Sequence, residues 1–287
     1  MEEKLELLKP KIDVVFHALI RKGNERIAKS IIKATTKEKI EKVELDNDRY
    51  LVGKYPEEKL GIVDLKATLD NGTICDIEIQ LADNKDTAER FLYYWSRIYS
   101  SQLRKGDDYG KLNKVIGIII IDYELEKTKE VNKLNTKWKI KEVSTGKEIE
   151  LTDVLELHII EIPKAKKMLQ KEPNNELAQW VMFINNPNES EVSQIMEKNK
   201  EIEEAMNELE KISKDRELRR VAELREKAIR DEKNGLRHAR EEGKEEGKVE
   251  GIKETAVKIA QSLKKENFTT EKIAELTGLT VQEIEEL

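Results

Sequence analysis

Apolar and polar positions along the first 186 residues follow the periods of short helices and strands. Apolar residues recur every three or four positions in residues 12–19 and 27–34, which predicts two helices. The same periodicity predicts a long amphipathic helix over residues 86–103, with these side chains inward: Phe91, Tyr94, Trp95, Ile98 and Leu103. Two-residue alternation and continuous apolar runs predict strands over residues 42–45, 60–69, 74–81, 115–121, 137–143 and 154–162.

These elements occur in the order helix, three strands, helix, strand, which is an αβββαβ arrangement. The two later strands extend the sheet, and Pro163 starts a further helical region that reaches Trp180. Residues 1–186 are therefore predicted to form one α/β domain with a mixed central sheet.

Residues 187–265 are predicted to be helical and heavily charged, with a narrow apolar seam suited to a coiled coil or to a long docked helix. Small residues then recur every four positions and form a stripe: Gly235, Ala239, Gly243, Gly247 and Gly251. Each glycine costs a helix up to about 1 kcal/mol. We therefore favour close packing against another helix over a flexible linker, and predict a homodimer or higher even oligomer through the C-terminal helices.

The last segment, residues 266–287, is predicted to be two short helices that resemble a helix-turn-helix. Thr270 caps the first helix, Gly278 ends it, and Thr280 with Glu283 forms a capping box for the second. The second helix carries Glu283, Glu285 and Glu286, whose charges repel phosphate. We therefore favour a packing or protein-contact module over a DNA-reading one.

Composition narrows the classes of protein. Charged residues make up 39% of the 287 positions and the net charge is −6, so any contact with nucleic acid must come from a local basic patch. Cys75 is the only cysteine, which excludes an internal disulfide framework and favours a reducing cytoplasm. No run of about 18 apolar residues is present, so membrane insertion is not predicted.

Acidic and amide residues are concentrated in the hairpin predicted for residues 61–81. Asp76, Glu78 and Gln80 alternate with apolar residues and therefore share one face of their strand. The turn Asp70-Asn71-Gly72 folds the preceding strand back, which brings Asp64 beside Glu78. Two carboxylates that converge on one point bind a cation, and oxygen ligands suit Mg²⁺ or Mn²⁺.

This segment resembles the PD-(D/E)xK nuclease superfamily, in particular its recombination-promoting, transposase-like branch, in which glutamine replaces the motif lysine. The resemblance includes residues 9–16 and these positions of the later helix, loop and strand: Arg90, Tyr94, Tyr99, Gln102, Leu103, Gly106, Tyr109 and residues 115–121. It implies a restriction-endonuclease-like fold, with Asp64, Glu78 and Gln80 catalytic and a divalent ion on Asp64 and Glu78. Val63 stands where proline is usual.

Five further residues have a functional and an ordinary interpretation. Asp13 adds a third carboxylate to the metal site or serves only its helix end, and Asp76 binds metal or is a strand acid. Lys66 lies one pleat from Asp64 and supplies the cation that Gln80 lacks. Arg90 and Tyr94 contact a substrate phosphate or brace Gln80. The three histidines have no metal-ligand spacing and receive no role.

Three functions follow from these features. The first is a metal-dependent DNA endonuclease, slow or conditional because Gln80 carries no charge, that acts in recombination, transposition-like events or genome defence. The second is a catalytically weak protein of nuclease fold that binds DNA or a partner. The third is an assembly protein in which the coiled-coil region carries the function and the N-terminal domain is a scaffold.

Overall fold

The computed structural model describes residues 6–46, 65–83 and 85–287. Its α-helices are α1 (Asp13–Leu19), α2 (Glu25–Thr36), α3 (Thr87–Ser101), α4 (Ala165–Lys171), α5 (Glu176–Asn185), α6 (Ser190–Met196), α7 (Lys200–Ile212), α8 (Arg216–Lys265), α9 (Thr270–Thr277) and α10 (Val281–Glu285). Its strands are β1 (Val43–Asp46), β2 (Leu65–Leu69), β3 (Ile74–Gln80), β4 (Val115–Ile121), β5 (Asn135–Trp138) and β6 (Leu155–Glu161). None of the helices in these ranges is both long and apolar enough to cross a membrane.

The six strands form one mixed sheet in the order β1-β2-β3-β4-β6-β5. The pairs β1/β2, β2/β3 and β5/β6 are antiparallel, whereas β3/β4 and β4/β6 are parallel. The two parallel pairs follow from crossovers through α3 and through the β5 segment. This architecture confirms the predicted α/β class with a mixed central sheet.

Helices cover both faces of the sheet. On one face, Cys75 and Ile77 of β3 join the main core with α1, α2 and α5. On the other face, Phe91 of α3 packs against Ile119 of β4 and Leu157 of β6. Every residue of β4 is buried, as the continuous apolar run of this strand predicts. Burial raises the pKa of the Cys75 thiol well above its usual value, and the Asp76 carboxylate adds to the shift, so Cys75 is a core residue.

Part of the apolar seam predicted for residues 187–265 belongs to the main hydrophobic core, together with the sheet and helices α1, α2 and α5. Residues of α7 that belong to the main core are Ile202, Ala205, Met206, Leu209 and Ile212. This helix packs on α1 and α2, which is the docked-helix alternative for that part of the seam. By packing, the chain divides into two compact units, residues 1–229 and residues 230–287.

In the second unit, helices α9 and α10 form a hairpin that packs against α8 around Ala260. Ile273, Leu279 and Ile284 are buried around Ala260. Gly278 has a φ of 73°, and Thr280 and Glu283 form the predicted capping box. The cap of α9 is Thr269, whose side chain accepts from Lys272 N, so the prediction of Thr270 was off by one residue.

A buried ionic cluster lies at the start of β4 and β6, at positions to which no sequence pattern assigned a function. Glu156 is 1% exposed. Its carboxylate lies 2.8 Å from His158 Nε2, 2.9 Å from Lys137 Nζ and 3.0 Å from Lys114 Nζ. His158 thus has a structural contact that its isolated position in the sequence did not reveal. Glu156 and His158 alternate with the apolar residues of β6, so they lie on the sheet face opposite Glu78.

Candidate functional site

The hairpin of β2 and β3 forms the centre of the candidate site. Asp64 lies outside the described residues, so its predicted approach to Glu78 is not seen. The described pairing of the two strands begins at Leu65, which is opposite Ile77, and continues with Lys66 opposite Asp76. Asp76 and Glu78 both point to the face that α3 covers, because they alternate with the core residues Cys75 and Ile77.

Both acidic residues of β3 are buried. Asp76 is 1% exposed and Glu78 is 8% exposed. Withdrawing a carboxylate from water costs several kcal/mol unless hydrogen bonds, a countercharge or a metal compensates it. Two buried carboxylates on alternate positions of one strand therefore indicate a polar centre beneath α3. The interpretation of Asp76 as an ordinary solvent-exposed strand acid is wrong.

Gln80 ends β3 with its side chain held by a local hydrogen bond. The side-chain Nε2 donates to the backbone carbonyl of Ala82 at 3.0 Å, and the backbone carbonyl of Gln80 accepts from Asp122 N at 3.1 Å. The amide is thereby anchored at one end. The side-chain oxygen of the amide can accept a hydrogen bond from water, whereas the amide supplies no positive charge.

Lys11 is a nearby cation that received no role from the sequence. Its Nζ lies 3.3 Å from Asp122 Oδ2 and 2.9 Å from Asn185 Oδ1. Asp122 follows β4 directly and pairs with the end of β3, so Lys11 belongs to the same edge of the sheet as Gln80. Lys11 lies within residues 9–16, which carry part of the family resemblance, and this position is the signal by which the sequence could have identified it.

Glycine at position 117 sets the height of α3 above the carboxylates. Gly117 lies opposite Asp76 in the register of β3 and β4. A Cβ at this position would lie 2.8 Å from the Phe91 ring, which is too close for an ordinary contact. The missing side chain lets Phe91 reach the sheet, and with it the first turns of α3. Trp95 Nε1 donates to the Val115 carbonyl at 2.9 Å and fixes the next turn.

Arg90 and Tyr94 lie together on the first half of α3. The guanidinium carbon of Arg90 is 5.9 Å from the centre of the Tyr94 ring. Partial burial opposes the charge of Arg90, but a hydrogen bond with Tyr94 and the carboxylates of Asp86 and Glu78 outweigh this effect and raise its pKa. Arg90 is therefore a fixed cation within electrostatic range of Glu78.

Lys66 and Asp13 each form an ion pair, Lys66 with Asp46 and Asp13 with Arg225. Lys66 Nζ lies 3.4 Å from Asp46 Oδ2, and its strand position is opposite Asp76. Asp13 is the first residue of α1, and its Oδ2 lies 3.6 Å from Arg225 Nε. The ion pair with Arg225 is the contact that the structure describes for Asp13.

The donors of this site suit a hard cation. Asp76 and Glu78 offer carboxylate oxygens and Gln80 an amide oxygen, which are the ligand types that Mg²⁺ and Mn²⁺ prefer. Within the described ranges, which omit residues 47–64, no group of three or more His, Cys, Asp or Glu side chains is placed to hold a metal ion. A metal site formed by Glu78 together with Asp64 is compatible with the donor types of the site and with this absence.

Comparison with known proteins gives one positive result. A family model described as PD-(D/E)XK nuclease family transposase matches residues 10–239, which is well over half of the chain. The match extends over α1, the whole sheet, α3 and the first half of α8. Comparisons with curated proteins and with solved structures gave no match.

Proposed function

The chain belongs to the PD-(D/E)XK nuclease family transposases, and from this premise we propose that it is a divalent-metal-dependent DNA endonuclease. The activity we assign is hydrolysis of phosphodiester bonds, in recombination, transposition-like events or genome defence. Asp64, Glu78, Gln80 and Lys66 are the proposed catalytic residues. Mg²⁺ or Mn²⁺ is the proposed cofactor, with Asp64 and Glu78 as its main ligands and Asp13 as a further one.

The observation that carries the proposal is the burial of Glu78 on β3, next to the strand that Asp64 precedes. Leu65, the neighbour of Asp64 in the chain, pairs with Ile77, the neighbour of Glu78. Residues adjacent in a chain have Cα atoms about 3.8 Å apart. The pairing therefore supports the proposal that Asp64 and Glu78 hold one ion between them. The Asp76 carboxylate, which is buried on the same face, adds negative charge to the site.

Hydrolysis requires a bond from a water oxygen to phosphorus, cleavage of the bond from phosphorus to the leaving sugar oxygen, transfer of a proton from the attacking water to solvent, and protonation of the leaving sugar oxygen by solvent. A divalent ion, when bound, lowers the pKa of coordinated water and polarises the phosphate. The Gln80 amide oxygen orients the attacking water by accepting its hydrogen bond. Arg90 and Tyr94 hold a phosphate oxygen beside Glu78, and Lys66 adds positive charge on the β2 side.

Cleavage of supercoiled plasmid tests this proposal. The wild-type protein should nick or linearise the plasmid with Mg²⁺ or Mn²⁺, and an excess of EDTA should stop the reaction. The Asp64→Asn variant should lose cleavage and retain the wild-type thermal unfolding midpoint. Cleavage that continues in EDTA would place the activity outside this metal site. A folded wild-type protein that does not cut DNA under any of these conditions would favour the binding or assembly function.

Gln80→Lys should preserve or raise the cleavage rate if the missing positive charge limits it, a tenfold rise corresponding to about 1.4 kcal/mol of transition-state stabilisation, and should lower the rate if the hydrogen bond from the amide to water matters more. Lysine adds the positive charge that glutamine lacks, near the charge that develops on phosphate. The matched variant Gln80→Met retains the side-chain length without charge or amide, and should be slower than wild type. Single-turnover rates with saturating Mn²⁺ measure both effects. If Gln80→Lys is also slower, the amide itself positions the water.

The proposed partners are DNA and further copies of this chain. Apart from the adjacent residues and the nearby backbone of α8 itself, a Cβ atom added at Gly235, Gly243, Gly247 or Gly251 would meet no atom of the described residues within 4 Å. Within their unit, the surface of these stripe glycines is therefore open to another helix. We propose that this stripe organises a homodimer or higher even oligomer.

Replacing Gly243 and Gly247 with leucine should weaken association about tenfold or more, because the larger side chains separate the helix backbones. Light scattering over a range of micromolar concentrations measures the change. The control is Glu242→Leu with Glu246→Leu, which adds the same side chains one position earlier on the helix. A wild-type protein that is monomeric throughout this range would contradict the proposal.

A further inference from the structure

Helix α3 begins without the side-chain hydrogen bond that commonly caps a helix. Asp86 precedes its first turn, and the Asp86 side chain makes no capping bond. The first turn of an uncapped helix frays, because its leading amides have no partner within the helix. Arg90 lies at the end of this turn and is exposed, and its hydrogen bond with Tyr94 ties it to the same helix. The position of its guanidinium therefore depends on what holds the start of α3.

A hydrogen bond between two hydroxyl groups ties this turn to the sheet. The Thr87 hydroxyl and the Tyr123 hydroxyl lie 2.6 Å apart. Thr87 is the first residue of α3 and is 3% exposed. Tyr123 follows β4 by two residues, and its ring packs against the hydrophobic cluster that contains Phe91 and Ile121. The uncapped turn is thereby joined to the chain that leaves the central strand.

Tyr123 lies at the strand ends that also carry Gln80. Asp122 N donates to the backbone carbonyl of Gln80 at 3.1 Å, so the chain just before Tyr123 is bonded to the end of β3. The Tyr123 ring packs in the cluster beneath α3, on the same face of the sheet as Glu78. The Thr87–Tyr123 hydrogen bond therefore fixes the start of α3 relative to the strand that carries Glu78.

The surroundings of this hydrogen bond favour its persistence. Burial raises the pKa of the Tyr123 phenol above its usual value, so the hydroxyl stays protonated at neutral pH. Thr87 is buried, so water does not readily replace Tyr123 as its partner. The Arg90 guanidinium lies within electrostatic range of both Tyr123 and Glu78. The bond therefore acts where Arg90 approaches the carboxylate.

We propose that Tyr123 is a positioning residue, whose hydrogen bond with Thr87 holds the first turn of α3 so that Arg90 stays beside Glu78. This inference rests on the proposed function, in which Arg90 holds a phosphate oxygen of the substrate. Tyr123 itself contacts neither metal nor substrate and acts through Thr87. The sequence did not identify it, because the two hydroxyl groups are 36 residues apart in the chain.

Hydrogen exchange followed by mass spectrometry, in the metal-free protein, tests the bond without DNA. Tyr123→Phe keeps the ring and removes the hydroxyl, so amides 88–93 should exchange about tenfold faster, because one hydrogen bond no longer opposes opening of the turn. Thr87→Val should have the same effect. Two controls should exchange at the wild-type rate: Thr87→Ser, which keeps a hydroxyl, and Tyr109→Phe, which makes the same change at a tyrosine that is 81% exposed.

Single-turnover cleavage at saturating Mn²⁺ tests the positioning role. Tyr123→Phe should lower the rate about three- to tenfold, the size of one hydrogen bond, and leave the affinity for Mn²⁺ unchanged. Added to Arg90→Gln, the same change should alter the rate less than about twofold, because both changes remove one contribution. Thr87→Val combined with Tyr123→Phe should match either single variant, and Thr87→Ser should match the wild type.

Three results would overturn the inference. They are wild-type exchange of α3 in a folded Tyr123→Phe protein, wild-type cleavage by that protein, and an equal effect of Tyr123→Phe with and without Arg90. If Tyr123→Phe does not fold, Thr87→Val decides the same comparisons. If the wild-type protein cuts no DNA, the endonuclease function is rejected, and faster exchange in both variants would still support the Thr87–Tyr123 bond as the contact that places Arg90.

Discussion

Replacing Glu78 with glutamine should abolish DNA cleavage while the protein stays folded. Glutamine has nearly the same shape as glutamate, so the packing of β3 beneath α3 is preserved. It lacks the negative charge that holds a divalent ion, and a single amide oxygen is a weak substitute. We expect a loss of at least about 10³-fold in the single-turnover rate, which corresponds to about 4 kcal/mol.

The metal-free Glu78→Gln protein should unfold in one cooperative transition, as the wild type does. The substitution removes one of two carboxylates that are buried on the same face of β3, at positions 76 and 78. The matched control is Glu44→Gln, the same chemical change at an exposed position of β1 in the same sheet. Its cleavage rate should equal that of the wild type. A Glu78→Gln protein that is folded and cuts at the wild-type rate would show that Glu78 is not a ligand of the catalytic metal.

Replacing Glu156 with alanine should lower the free energy of unfolding by about 3–5 kcal/mol, because it removes a buried carboxylate that a buried histidine and two lysines contact together. The carboxylate is the common contact of His158, Lys114 and Lys137. Lys114 also pairs with Glu38 at 2.9 Å, so that ammonium keeps one partner in the variant. Urea denaturation at pH 7 measures the loss. The control Glu150→Ala removes an exposed partner of Lys139 and should cost less than about 1 kcal/mol.

The Glu156 cluster also predicts a direction for the pH dependence. Burial favours the protonated acid, but hydrogen bonds from His158, Lys137 and Lys114 outweigh it and hold the pKa of Glu156 well below its usual value of 4.5. The folded state therefore binds this proton less readily than the unfolded chain does. The contribution of Glu156 is complete above about pH 4.5 and declines as the pH falls below it. The stability difference between wild type and Glu156→Ala should shrink over the same range. A difference that stays constant down to pH 2 would contradict this account.

Most strands of the sheet were predictable because they carry strong local patterns, whereas the strand predicted over residues 137–143 is β5 at Asn135–Trp138. The apolar run over residues 115–121 predicted β4 with the bounds that the structure shows, and the alternation over residues 74–81 predicted β3 to within one residue. The same alternation placed Asp76, Glu78 and Gln80 on one side. Membership of the nuclease family, which the resemblance of residues 61–81 had indicated, is confirmed by the match over residues 10–239.

Features that depend on distant contacts were not predictable in the same way. The seam of α7 looked suited to a coiled coil because periodicity shows that a helix face is buried but not what covers it. In the structure, α1 and α2 pack against this face of α7. His158 looked incidental and Glu156 attracted no prediction, because Lys114 and Lys137, which contact Glu156, are remote in sequence or on another strand. Burial of Asp76 likewise depends on α3, which the strand pattern alone does not place.

The number of Mn²⁺ ions bound per chain shows whether Asp64 and Glu78 form a metal site, because metal binding at these carboxylates precedes any chemistry. Calorimetric titration of Mn²⁺ into the wild-type protein, into Asp64→Asn and into Glu78→Gln provides this number without DNA. We predict one ion per wild-type chain, and at least about tenfold weaker binding in each variant, a loss of about 1.4 kcal/mol. Equal binding of Mn²⁺ by the wild type and both folded variants would contradict the proposed metal site.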